Sequence, residues 1–471
     1  MSAASGQARR QRHGRLAGLA CLGLLAVSGP AAGAPQPGAN PAPVRLVRPA
    51  ARPLSEMARI GRDLFFDPRL SASGSLSCAG CHVPSRAYGP PDGRSAPRGG
   101  LRDRDEGRRA VPSLRYADRI PAFGIGPDAV VEGAASPVSV AQPGAPPRKV
   151  AGAAAASAMV PQGGLFWDGR AASLELQAMG PLFDPAEMAN RDTAALARRL
   201  REAYGPRLAA LIGAPAVEDA RRLVYEAAYA VVRFEIEDST FHPYTSKYDA
   251  YLEGRARLTA SEARGLAAFD DPARGNCAAC HLDRPDAAGR PPAFTDFQYE
   301  ALGVPRNAAL PANRDTGSYD LGLCGPARTD LARETKYCGM FRTPSLRNAA
   351  TRGVFFHNGR YHRLEDVLAF YVLRDARPDS VYPRGPGGRA RRFDDLPVAD
   401  TANVDRADRP FGTPPGAASP LSARDRRDII AFLRTLTDGY RGAAGSASGH
   451  EDDLAPGAGL HHAAVRLRRG G

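Results

Sequence analysis

Apolar residues recur at helical spacing in four stretches of the chain. Leu54, Met57, Ile60, Leu64 and Phe65 lie on one helical face, and that pattern runs into an Asp67-Pro68 turn. Thr259-Ala260-Ser261-Glu262 has the form of a capping box and starts a second helix through Leu266 and Phe269, which again meets an Asp-Pro pair at Asp271-Pro272. Between them, Leu223, Ala227, Ala230, Val231 and Phe234 predict a long helix over Glu218 to Glu237. A closing helix is expected from Leu421 to Leu436, with Ser422 and Asp425 as its cap. No clear alternating strand pattern competes, so the predicted class is mainly α.

Each Asp-Pro turn leads into the same pentapeptide type, Cys78-Ala79-Gly80-Cys81-His82 and Cys277-Ala278-Ala279-Cys280-His281. A Cys-x-x-Cys-His spacing sets two thiols to add across the vinyl groups of a haem while the histidine swings under the iron. A lone copy could also hold zinc or a redox disulfide, but two copies that both end in His predict two covalently bound haem c groups. The repeated order of helix, turn and haem motif implies two cytochrome c-like haem domains with long irregular loops, over 54–238 and 239–441. Residues 35–53 are Pro- and Ala-rich and read as a flexible leader, and 127–164 as an irregular insertion. Arg377 to Pro420 is a second irregular stretch, and loops as long as these two are either functional covers or disordered. The tail 442–471 is expected to be disordered, with His450, His461 and His462 solvated.

Arg9, Arg10, Arg12 and Arg15 precede an apolar run from Leu16 to Val27 and then Ala32-Gly33-Ala34, so residues 1–34 read as a secretory signal peptide cleaved after Ala34. The run is shorter than the ~20 residues of a membrane span, and nothing later is longer. A periplasmic protein without a membrane span is therefore expected. The net charge of +13 loses four with the signal arginines, and the remaining basic residues are scattered among acids, which argues against nucleic acid as a partner. Once the haem thiols are assigned and Cys21 is lost with the signal, Cys324 and Cys338 remain; in an oxidising compartment they are expected to form a disulfide.

The supply of iron ligands is informative. Of nine histidines, His13 goes with the signal, three lie in the tail, and His82 and His281 are proximal, leaving His242, His357 and His362, all beyond residue 240. The N-terminal half offers only Met57, Met159, Met179 and Met188, none in a segment that obviously returns to the haem. The first iron is thus expected to have an open face, which invites peroxide. For the second iron, Met340, His357, His362 and Tyr371 are all possible by residue type.

Phe166-Trp167-Asp168-Gly169-Arg170-Ala171, Gln177 to Leu182 and Pro185-Ala186-Glu187-Met188 resemble the bacterial diheme cytochrome c peroxidase and MauG family. Further matches are Leu64 to Ser71, Phe341-Arg342-Thr343-Pro344-Ser345-Leu346-Arg347-Asn348, and His357-Asn358-Gly359 with Leu364-Glu365. The resemblance implies that His82 is proximal to the peroxidatic haem and His281 to the electron-transferring haem. It implies that Glu187 is the distal acid/base, that Gln177 and Pro181 line the same pocket, and that Trp167 stands between the haems. By family spacing the second axial position lies fourteen residues after His357, at Tyr371, as in the MauG branch. Two departures matter. Val83 to Leu165 contains no His, so the distal His that blocks the first haem in many of these peroxidases is missing. The family's Arg-Asn-x-Pro, whose Asn binds calcium, reads Arg109-Ala110-Val111-Pro112, which puts the calcium site in doubt.

The function this implies is periplasmic reduction of hydrogen peroxide to water, with electrons from a small redox protein such as a cytochrome c or cupredoxin. A MauG-like oxidation of a protein or small molecule is the alternative. A diheme electron carrier is a third possibility, but it would have no use for Gln177, Pro181 and Glu187.

Overall fold

The computed structural model describes residues 37–127 and 159–442. The expected signal peptide, most of the 127–164 insertion and nearly all of the tail lie outside these residues. Among the described residues the chain forms ten α-helices, several single 3₁₀ turns and three two-stranded antiparallel ribbons. No described helix is long and apolar enough to cross a membrane.

The first helix, α1 (Glu56–Phe66), starts where the Ser55 side chain accepts from the Ala58 N–H, and it buries Ile60, Leu64 and Phe65. Those side chains meet α6 (Ala220–Glu237), whose Leu223, Ala227, Ala230 and Phe234 are buried in the same core. The crossing is close because residue 61 is glycine: a Cβ there would lie 1.7 Å from the Ala230 carbonyl oxygen. Helices α3 (Leu174–Phe183), α4 (Thr193–Ile212) and the short α5 (Ala214–Glu218) complete this half. Phe65 is its aromatic hub, edge-on to Tyr88, Phe234 and Phe241.

The second half repeats the arrangement. Helix α8 (Ala260–Asp270) opens on a complete Thr259/Glu262 capping box and packs on α10 (Ala423–Arg434), itself opened by the Ser422/Asp425 box. Here Gly265 permits the contact, since a Cβ would lie 1.9 Å from the Asp428 carbonyl oxygen. Phe269, Phe294, Phe432 and Tyr248 fill this core. A buried ion pair between Arg347 and Asp249, at 2.6 Å, ties α7 (Lys247–Leu252) to the loop before residue 349.

The ribbons are β1 (Arg98–Gly99) with β2 (Asp105–Glu106), β3 (Gly124–Pro127) with β4 (Met159–Gln162), and β5 (Tyr299–Glu300) with β6 (Phe341–Arg342). At two to four residues each, they are too short to leave a legible alternation in sequence. β3 and β4 pair the two ends of the stretch expected to be an irregular insertion. Residues expected to form a flexible leader are also held: the Val44 N–H and the Asn40 side-chain amide donate to the Leu252 carbonyl, Leu46 is buried, and Arg48 pairs with Glu253 at 2.6 Å. Residues 377–420 contain 3₁₀ turns and an isolated bridge between Arg384 and Ala390, yet Tyr382, Phe393, Leu396 and Val404 form a core of their own there. Cys324 and Cys338 are joined in a disulfide with Cα atoms 5.0 Å apart, and both are buried.

Candidate active site: two cavities and the wall between them

Directly after the turn that follows α1, the short helix α2 (Cys78–Cys81) places both thiols in the wall of a cavity, and His82 follows at its C-cap. The His82 Nδ1 lies 3.1 Å from the Tyr88 carbonyl oxygen. Because a carbonyl can only accept, Nδ1 carries the proton and Nε2 keeps its lone pair. Burial lowers the His82 pKa to about 4, so the ring is neutral at pH 7. Burial likewise pushes Cys78 up to about 12 and Cys81 to about 11.

The opposite wall comes from α3 and the turn after it. Ser173 caps this helix, and Gln177 and Pro181, one turn apart, both line the cavity. The chain then reverses at Asp184: its carbonyl accepts from the Glu187 N–H at 3.0 Å, and the Met188 N–H donates back to the Pro181 carbonyl at 3.1 Å. This turn brings Glu187 and Met188 into the lining beside Gln177. Ribbon β1 covers the turn so closely that a Cβ on Gly99 would lie 2.4 Å from the Ala186 carbonyl oxygen, while the Gly100 N–H donates to the Glu187 carbonyl at 2.7 Å. The Glu187 carboxyl has no hydrogen-bond partner among the described residues. Its pKa rises from 4.5 to about 7, chiefly through burial and further through Asp184, with Arg170 opposing.

The second cavity is lined by Cys277, Cys280 and His281. The His281 Nδ1 lies 3.0 Å from the Phe294 carbonyl oxygen, which leaves Nε2 uncommitted, and burial lowers this pKa to about 4. Helix α9 (Leu364–Leu373) supplies Tyr371, whose ring stacks on Phe411 at 5.2 Å. Burial raises its phenol pKa well above 10, and its hydroxyl has no hydrogen-bond partner among the described residues. His357 lines the same cavity, but its ring lies flat on Phe341 at 3.5 Å. The other two residue types considered for this iron sit elsewhere. Met340 packs with Leu323 and Cys324, and His362 is exposed with its Nδ1 3.0 Å from the Gly353 carbonyl. Residues 395–411, within the irregular stretch, form part of this cavity's cover.

Trp167, Asp320 and Arg342 line both cavities. The Trp167 indole N–H donates to the Ala110 carbonyl at 2.8 Å, and the Trp167 carbonyl accepts from the Arg342 N–H at 2.9 Å. Ala110, at the position where the family motif has Asn, therefore serves through its backbone. Arg109 bridges Asp168 at 2.7 Å and Asp320 at 2.6 Å; burial pushes the Asp320 carboxyl up, but the Arg109 guanidinium holds it below its usual range.

Sequence reading did not place Met188, Asp320 or Arg342 in the site. Arg342 lay within a quoted motif, but nothing in the sequence gave its direction. Met188 lies in a segment with no obvious sequence sign of a return to the haem, and the Asp184 turn brings it into the lining. In each cavity two thiols and an imidazole with one uncommitted nitrogen meet largely apolar walls, a donor set that suits a c-type haem.

Residues 55–257 match the family model described as di-haem cytochrome c peroxidase. The methylamine utilization protein MauG of Paracoccus denitrificans is 32% identical over 435 residues, covering 89% of this chain and 95% of that protein. The cytochrome c551 peroxidase of Pseudomonas aeruginosa is 28% identical over 355 residues, 73% of this chain and 80% of that one. Among solved structures, the diheme peroxidase BthA of Burkholderia thailandensis superposes with a TM-score of 0.69 at 37% identity, covering 85% of this chain and 94% of that one. With two cavities of matching donors joined by one tryptophan wall, and relatives aligned along nearly its whole length, the chain belongs to the di-haem cytochrome c peroxidase and MauG family of oxidoreductases.

Proposed function

We propose that this protein reduces hydrogen peroxide to water in the first cavity, using electrons that enter through the second. The observation that carries the reading is Glu187. It is a carboxyl without a protein partner, with a pKa near 7, in the same cavity as His82 and Gln177. Cys78, Cys81 and His82 would hold a haem, which would supply the redox chemistry. The protein's part is proton handling. The Glu187 carboxylate takes the proton from one peroxide oxygen and returns it to the other as the O–O bond breaks. Gln177 and Pro181 orient the peroxide and limit water. Two electrons and two protons convert each peroxide to two waters.

Trp167 is the electron path, because it lines both cavities and is held at both its indole N–H and its carbonyl. Cys277, Cys280, His281 and Tyr371, which line one cavity, would hold the second haem. A small cytochrome c or cupredoxin in the periplasm is the proposed donor. Steady-state turnover of peroxide with reduced cytochrome c tests the reading; activity no greater than that of free haem would reject it. The relationship to MauG and the tyrosine in the second cavity favour one second reading, oxidation of a protein or small molecule by the same equivalents. Peroxide consumption that requires such a substrate rather than reduced cytochrome c would select it.

Tyrosinate is a hard anionic donor that favours oxidised iron. Tyr371→Met is therefore expected to raise the reduction potential of the second haem and leave the first nearly unchanged. Redox titration of the two proteins measures this, and an unmoved second potential would transfer the ligand role to His357, the other candidate in that cavity.

A further inference from the structure

Arg342 is a half-buried cation that a carboxylate, Asp296, reaches only at long range. Its guanidinium makes one long hydrogen bond, from Nε to the Phe166 carbonyl at 3.4 Å, and no ion pair among the described residues. More enclosed arginines are compensated. Arg109 holds Asp168 and Asp320, Arg347 holds Asp249, and Arg374 holds Asp375. Arg352 lacks a carboxylate but donates to the carbonyls of Val111 and Val354. A guanidinium stays charged in a protein, and leaving such a charge buried and unpaired is strongly unfavourable.

Its placement is specific. In β6, Phe341 stacks on His357 in the second cavity, and Arg342 lines the wall shared by the two cavities. Pairing of Arg342 with Tyr299 of β5, and its N–H bond to the Trp167 carbonyl, hold the backbone in place. Asp320, the carboxylate that lines both cavities with it, is already paired with Arg109. A haem brings two carboxylates of its own, the propionates, and the guanidinium fork suits a carboxylate in two parallel hydrogen bonds.

We infer that Arg342 is the counter-ion of a haem propionate at the junction of the two cavities, and that its charge helps set the reduction potential there. A fixed cation near the iron favours the reduced state, which carries one less positive charge. The inference rests on the presence of two haems and not on peroxide as substrate, so it stands or falls separately from the turnover test.

The experiment compares the holoprotein with Arg342→Gln and Arg342→Lys, each first checked for two haems per chain. Arg342→Gln should lower the potential of at least one haem in a redox titration and shift that haem's propionate bending band in resonance Raman spectra. A shift confined to one haem assigns the propionate to it, and a shift in both assigns the charge to the pair. Arg342→Lys keeps the charge but loses the fork, so its potential should stay near wild type while the propionate band still moves. Unchanged potentials and bands in a fully loaded Arg342→Gln would overturn the inference. If that variant fails to retain haem, an unmoved propionate band in Arg342→Lys would overturn it.

Discussion

Glu187→Gln is expected to slow peroxide O–O cleavage by roughly 100-fold or more, the usual contribution of a positioned general acid/base. Both haems should remain. Glutamine preserves the shape of the side chain beside Gln177 but can neither take a proton nor return one. The wild-type pKa of about 7 gives the pH dependence its direction. The carboxylate is the form that accepts the first proton, so the wild-type rate should rise as pH increases through 7, and the variant's low rate should be flat. Stability moves the other way. The native state retains a proton that the unfolded chain has already lost above its ordinary 4.5, so ionising Glu187 costs folding stability as pH rises from 4.5 to about 7. Stopped-flow mixing with peroxide across this range measures the rate, and a glutamine variant with wild-type kinetics would remove Glu187 from the mechanism.

Replacing one pair of thiols should halve the haem content. Cys277→Ala/Cys280→Ala removes the attachment points in the second cavity, and Cys78→Ala/Cys81→Ala those in the first. The two cavities have separate donor sets, and only Trp167, Asp320 and Arg342 are common to both. Loss of one haem should therefore leave the other's attachment intact, although an emptied apolar cavity will destabilise its half of the protein. Haem per polypeptide, assayed on protein recovered after export, should be two in wild type and one in either double variant. A ratio near one in the intact protein would show that only one pentapeptide is used.

The sequence by itself determined what depends on neighbours a few residues apart. The Thr259/Glu262 and Ser422/Asp425 caps close over three residues, the spacing from Gln177 to Pro181 is one helical turn, and each Cys-x-x-Cys-His brings its three groups together within five positions. Local hydrogen bonding and helical period suffice for all of these, so the main helices and both haem motifs were readable. The family pattern then led to Glu187 and Tyr371, which could not have been separated from ordinary helix residues by local chemistry.

Tertiary structure decided the rest. Residue type leaves Met340, His357, His362 and Tyr371 equal, and the fold separates them by packing a half-buried Met340 against the cluster around the disulfide, leaving His362 exposed and placing Tyr371 and His357 in the cavity lining. Ribbon β5–β6 spans some forty residues of chain, and the wall between the cavities joins Ala110, Trp167, Asp320 and Arg342 from four separate segments. No sequence period encodes such a meeting. It exists because two helical cores, each closed over a glycine, fix where their connecting loops must run, and the charges on those loops then pair with whatever the packing brings near: Arg109 with Asp168 and Asp320, and Arg342 with no protein carboxylate among the described residues.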